Sequence, residues 1–192
     1  MRSSNDNSQG QNGKGRILVC PTPIGNLGDM TPRALDALRG ADVVCAEDTR
    51  VTGKLLSAFD IHARLLRMDE NTIAQKAPGI VDRAAHGETV AYCSDAGMPG
   101  VSDPGMRLVR IAREAGVSVT VLPGPTAGAT AYVASGFACP HYLFYGFFPR
   151  KDGERTRVLE GLAHLDAALV FYESPRRLAA SLATVARVFP TR

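Results

Sequence analysis

Short apolar runs recur along the chain at 16–20, 42–46, 64–67, 89–93, 117–122, 142–147 and 168–172. Each reads as a strand. Between them the apolar positions take helical spacing. Thr31 stands as an N-cap, Pro32 fills the first helical position, Leu35 and Leu38 form an apolar face, and Gly40 closes the segment. Asp103 repeats the start, with Pro104 in the first turn. Leu108, Ile111, Ala112 and Ala115 then recur at helical spacing, and Gly116 ends the run. A small-residue helix is predicted over 127–135, and Ser174-Pro175 opens another before Leu178, Leu182 and Val185. Strands alternating with helices predict an α/β fold with mostly parallel sheets.

The pattern also divides the chain. LPGPTAG at 122–128 is the expected joint, because a strand ends there and two prolines stiffen the chain beyond it. This gives a flexible Ser/Asn/Gln/Gly tail at 1–15, an N-terminal α/β domain at 16–122 and a C-terminal α/β domain at 123–192. The second domain has only two clear strands, at 142–147 and 168–172. It is expected to be incomplete, with an exposed edge.

Composition is that of a globular protein, 45% hydrophobic and 21% charged. No apolar run is long enough to span a membrane, and the N-terminus has no apolar secretion signal, so the expected location is the cytoplasm. Cys20, Cys45, Cys93 and Cys139 show no paired-ligand spacing and read as small buried hydrophobes. The histidines are scattered, so no metal is expected. Net charge is +3, and it is uneven. Residues 1–147 carry 14 Lys/Arg against 14 Asp/Glu, whereas 148–192 carry 8 against 5. That excess suits an anionic partner near the second half, or a solvated helix face.

Four strand-exit loops concentrate the chemistry: Pro21-Thr22-Pro23-Ile24-Gly25-Asn26, Glu47-Asp48-Thr49-Arg50, Ser94 to Gly100, and Pro123-Gly124-Pro125-Thr126. In a parallel sheet such loops gather at one end, where ligands bind. GxGxxG, GxxxxGK[ST] and GxSxG are all absent, which argues against a dinucleotide site, a nucleotide P-loop and a nucleophile elbow.

PTPIGNLGD, AEDTR, SDAGMPGVSDPG, LPGPTA, GFFPRK and FYESPRRL occur in an order that resembles the ribosomal RNA small-subunit methyltransferase I family. That family is a branch of the tetrapyrrole (corrin/porphyrin) methylases, with the class III methyltransferase fold. The resemblance covers residue 16 to about 189. It implies S-adenosylmethionine as methyl donor and a cytidine ribose 2′-hydroxyl in the decoding region of 16S rRNA, in the small ribosomal subunit, as acceptor. It also implies a homodimer of chains with two α/β domains and the cofactor in the cleft between them. Pro21, Thr22, Pro23, Ile24, Gly25 and Asn26 resemble the family's first cofactor loop. Asp95, Ala96, Gly97 and Met98 resemble its second, with Met98 where Thr is frequent. Pro123, Gly124, Pro125, Thr126 and Ala127 resemble the interdomain loop, and Phe171, Tyr172 and Glu173 the strand that closes over the adenosine. Family members continue well beyond position 192.

A ribose hydroxyl is a weak nucleophile until its proton is taken up. Glu47 and Asp48 are the leading candidates for that role, and an Arg50–carboxylate brace is the structural alternative. Arg50 and Lys54 lie one helical turn apart. Together with Arg150, Lys151, Arg155, Arg176 and Arg177 they are the candidate RNA contacts. Phe147 and Phe148 read either as base-stacking platforms or as core. Two other readings are a relative methylating a corrin- or porphyrin-type small molecule, and a catalytically silent binding fragment. Methyl transfer to a corrinoid precursor, or cofactor binding without turnover, would mark them.

Overall fold

The computed structural model describes residues 15–191. The described chain forms two compact units, which divide between Pro125 and Thr126. That is three residues beyond the joint expected from the sequence. The expected tail lies outside the described residues except for Gly15, which is buried where a Cβ would collide with the backbone of Ala84, Gly87 and Glu88.

The first unit is a five-stranded sheet built from β1 (Arg16–Val19), β2 (Val43–Ala46), β3 (Leu65–Arg67), β4 (Thr89–Cys93) and β5 (Ser118–Val121). The strand order is β3-β2-β4-β1-β5, and every pairing is parallel. The central strands are buried on both faces, which is why they read as continuous apolar runs rather than alternating ones.

Four helices cover the sheet. Ala34 and Leu38 of α1 (Pro32–Arg39) and Leu56 of α2 (Thr49–Ala58) pack on one face with Leu18, Cys20, Val44 and Cys93. Ile73, Ala77 and Ile80 of α3 (Ile73–Ala85) and Leu108 and Ala112 of α4 (Gly105–Glu114) pack on the other with Ile17, Val43, Cys45 and Tyr92. Fully burying a Leu or Ile side chain stabilises by about 1.5–3 kcal/mol, so these two layers hold the sheet rigid beneath its loops. Helix α1 starts as the sequence predicts: the Thr31 hydroxyl accepts the Ala34 N–H at 3.2 Å, and Gly40 is the C-cap. Cys20, Cys45 and Cys93 are free thiols fully inside these layers, and burial pushes Cys45 up to about 12.

The second unit pairs β6 (Tyr142–Phe147) with β7 (Ala168–Tyr172) in parallel, with a register shift between Phe144 and Gly146. Three helices accompany them: α5 (Ala127–Ser135), α6 (Asp152–Leu162) and α7 (Leu178–Val188). Helix α5 spans the predicted residues. Helix α7 begins at Leu178, later than the expected Ser174-Pro175 start. Residues 174–177 are instead a turn closed by the Arg177 N–H on the Ser174 carbonyl at 2.9 Å. Among Phe148, Leu159, Phe171, Leu178, Leu182 and Phe189 lies an open apolar concavity of about 650 Å³.

Candidate active site

All five strands of the first unit are parallel, so the loops leaving β1, β2, β4 and β5 open along one edge of the sheet. Strands β1 and β4 are neighbours, yet α1 after β1 and α4 after β4 lie on opposite faces. Such a switch point is where doubly wound sheets bind ligands.

The structure ties these four loops together. Thr22 and Gly97 form an isolated antiparallel bridge, with N–H to carbonyl distances of 3.0 and 3.1 Å. The Thr22 hydroxyl donates to the Ser94 carbonyl at 3.2 Å. Gly97 has φ +79°, and a Cβ there would lie 3.2 Å from Ile24 Cγ2 and 3.4 Å from the Pro125 carbonyl. The positive φ favours glycine here, and a Cβ would also crowd Ile24. A Cβ on Gly124 would collide with the ring of Pro21, so the loop after β5 lies directly against the loop after β1. From the other side, the Asp48 N–H donates to Asp95 Oδ1 at 3.0 Å.

Within this cluster Pro21, Thr22 and Gly97 are buried framework, while Gly25, Asn26, Asp95 and Ala96 are exposed. Pro23, Ile24, Met98, Gly124 and Pro125 are half-buried, and Pro123 is exposed. The Asn26 side chain caps the 3-10 turn Leu27–Asp29 by accepting the Gly28 N–H at 2.9 Å. Nothing lies within 4 Å of where a Gly25 Cβ would point. Rigid backbone therefore frames open space, as a cradle for a polar ligand requires.

The paired acids separate into different roles. Asp48 is the brace: its carboxylate takes Arg50 Nε at 3.0 Å, Arg50 Nη2 at 2.6 Å and the Arg50 N–H at 2.8 Å. The guanidinium bonds, then the amide, hold its carboxyl well below the usual carboxylate range. Glu47 goes the other way. Burial raises it first, Asp95 and Asp103 raise it further, and Asp69 adds to this, against one hydrogen bond from the Asp95 amide. Of the two, Glu47 is the carboxylate whose surroundings favour the protonated form.

Sequence reasoning missed Asp103 as more than a helix start. Pro104 is the N-cap of α4, and the Asp103 carboxylate instead accepts the N–H of Gly100 with both oxygens at 2.8 Å and that of Gly105 at 2.8 Å. The SDPG string carried this signal, since Asp carboxylates commonly bind nearby backbone amides.

The remaining predicted residues lie in the second unit, apart from Arg50 and Lys54, which are both exposed on α2. Arg150, Lys151 and Arg176 are exposed, and Lys151 is 3.6 Å from Glu154. Arg155 is not presented to a partner: it is buried, and donates to Thr184 Oγ1 at 3.2 Å, the Arg150 carbonyl at 3.1 Å and Asp152 at 3.3 Å. Arg177 Nη2 is drawn to Glu173 at 2.5 Å. Glu173 is itself consumed, accepting the Ser174 N–H at 2.6 Å and the Ser181 hydroxyl at 2.5 Å. These two side chains are engaged in locking a turn. Thr126 and Ala127 start α5 half-buried, and the Thr126 carbonyl accepts from Thr130. Phe171 and Tyr172 are half-buried in β7, where Phe171 packs on Phe148. Phe148 is core, whereas Phe147 is 59% exposed. Among the described residues, no helix is long and apolar enough to cross a membrane, and no cluster of three or more His, Cys, Asp or Glu is arranged to hold a metal.

A doubly wound parallel sheet with joined loops at its carboxyl edge defines an α/β ligand-binding protein. The chain belongs to the tetrapyrrole (corrin/porphyrin) methylases, whose family model matches residues 16–191. It is 44% identical over 188 residues to the ribosomal RNA small subunit methyltransferase I of Escherichia coli O157:H7, covering 98% of this chain and 64% of that protein. The protein of the same name from Vibrio cholerae is 45% identical over 92% of this chain and 62% of its own length. The chain thus spans somewhat less than two thirds of these relatives. Among solved structures, a diphthine synthase superposes with a TM-score of 0.70 at 13% identity, over 91% of this chain and 72% of that one. A uroporphyrin-III C-methyltransferase from Thermus thermophilus superposes with a TM-score of 0.61 at 20% identity, over 91% and 77%. At these identities the two structures speak for the fold alone.

Proposed function

We propose that this chain carries the donor site of an S-adenosylmethionine-dependent methyltransferase. The proposed acceptor is the 2′-hydroxyl of a cytidine ribose in the decoding region of 16S rRNA, in the small ribosomal subunit. The observation that carries the reading is the Thr22–Gly97 bridge, which joins two family loops into one backbone cradle at the switch point of the sheet. The names of the relatives support the RNA acceptor.

S-adenosylmethionine, when bound, supplies a methyl group already activated on a sulfonium. The chain's own task is then positioning and proton handling. Gly97 and Gly124 keep the loops close, while Gly25, Asn26, Asp95 and Ala96 face the open side. Glu47 takes the proton from the acceptor hydroxyl as its oxygen attacks. Arg50, Lys54, Arg150, Lys151 and Arg176 neutralise phosphates, with binding that weakens steeply as salt rises. On the family resemblance, Thr126, Ala127, Phe171 and Tyr172 are donor-binding residues of the second unit, and the whole protein works in the cytoplasm as a homodimer.

The test is transfer of labelled methyl from S-adenosylmethionine to unmodified small ribosomal subunits, with the label then mapped. Label on one cytidine 2′-oxygen supports the reading. Label on a base, or on no RNA even with the full-length protein, overturns the acceptor assignment.

A further inference from the structure

We propose that Asp103 is a positioning residue, which sets the shape of the Ser94–Gly100 loop and so presents Asp95–Met98 to the methyl donor. The inference rests on reading that loop as a donor site.

The segment just after the loop needs a fastener, because Ser102 holds an unfavourable backbone conformation there. Gly100 has φ +90°, and Ser102, which has a Cβ, has φ +66°. A non-glycine residue in the left-handed region is strained unless its surroundings hold it there. Asp103 does the holding. Its two oxygens straddle the Gly100 N–H at 2.8 Å each, and Oδ1 also takes the Gly105 N–H at 2.8 Å. One carboxylate therefore binds the end of the loop to the first turn of α4, and charge-assisted bonds of this kind are the stronger class.

The seat beneath is rigid. A Cβ on Gly105 would lie 2.7 Å from Tyr92 Cε1, 2.9 Å from Asp103 Oδ1 and 3.0 Å from the Gly100 nitrogen. The phenol, the carboxylate and the loop thus converge on one bare Cα. Tyr92 is wholly buried on β4, so its ring cannot yield, and α4 is anchored through Leu108 and Ala112. The Ser94 and Asp95 side chains tie the start of the loop, and Asp103 couples its end to the core.

Asp103 also acts on Glu47 through charge. Glu47 is faced by Asp95, Asp103 and Asp69, with the Asp95 amide as its hydrogen-bond donor. Neutralising Asp103 removes one of the like charges that favour the protonated Glu47. The acid limb of the methyl-transfer pH profile should then move to lower pH in D103N, a shift that a purely structural residue would not produce.

The experiment measures amide hydrogen exchange at Gly100 and Gly105 together with S-adenosylmethionine affinity, in the wild-type chain, D103N and D103A. D103A should exchange about tenfold faster or more at both amides and lose about tenfold or more in donor affinity, with β4 amides unchanged. D103N, which keeps an acceptor oxygen, should fall between. Unchanged exchange in D103A overturns the proposal. So does faster exchange with unaltered affinity. A wild-type chain that does not bind the donor overturns the functional reading instead, and the exchange readout, which needs no donor, tells the two failures apart.

Discussion

The backbone N–H of Asp48 donates to Oδ1 of Asp95 at 3.0 Å, across 47 residues of sequence. This bond joins the exit of β2 to the exit of β4 and leaves the Asp48 carboxylate free to grip Arg50. D95A removes the acceptor, and the β2-exit loop loses its tie. Donor affinity measured by calorimetry should fall about tenfold, the scale of one charge-assisted hydrogen bond. D95N keeps an acceptor oxygen and should lose less.

E47Q and D48N should separate the two acids. E47Q removes the proton acceptor and should lower single-turnover methyl transfer at least tenfold, with donor affinity kept. D48N should act through loop shape, and its loss should appear mainly in affinity. In the wild type, activity should fall as pH drops through the raised Glu47 value, because the base form does the work. Stability moves oppositely. Folded Glu47 binds its proton more tightly than the ordinary value of 4.5, so its contribution declines as pH rises from 4.5 through the raised value. Urea titrations of the wild type and E47Q across that window should show the slope vanish in E47Q.

Y92F tests the buried phenol. The Tyr92 hydroxyl is wholly buried without a hydrogen-bond partner, and burial drives its acidity far down. Removing it relieves an unsatisfied group while the ring stays on Gly105. Thermal denaturation should show Y92F equal to the wild type or more stable by about 1 kcal/mol.

G97A and G124A test the close approach of the loops. G97A forces a Cβ into φ +79° and against Ile24, and G124A drives one into the ring of Pro21. Each should cost about 1–3 kcal/mol in urea unfolding and weaken donor binding. A neutral result at both positions would show that the loops can part without loss.

The strands were legible because residues such as Ile17–Val19 and Val43–Ala46 are buried on both faces and leave unbroken apolar runs. Helix α1 was legible because Thr31, Pro32 and Gly40 are local signals. The start of α7 was not, since Glu173 reaches forward to Ser174, Arg177 and Ser181 and makes a turn that Ser-Pro alone does not announce. The four loops could be picked out from glycines and prolines. Their joining could not, because the Thr22–Gly97 bridge and the Asp48–Asp95 bond depend on strand order. The same holds for the charges. Arg150 and Arg155 look alike in sequence, yet one is exposed and the other is spent between α6 and α7. The fastening role of Asp103 escaped notice because a carboxylate that caps a helix and one that also fastens a loop have the same sequence signature.

The central claim is that the strand-exit loops of the first unit form a methyl-donor site. Backbone amide shifts during titration of the chain with S-adenosylmethionine test it most directly. Shifts should concentrate at the amides of residues 22, 24–26, 47–50, 94–98, 100 and 124, saturating together. Saturable shifts elsewhere that leave these loops untouched would contradict it.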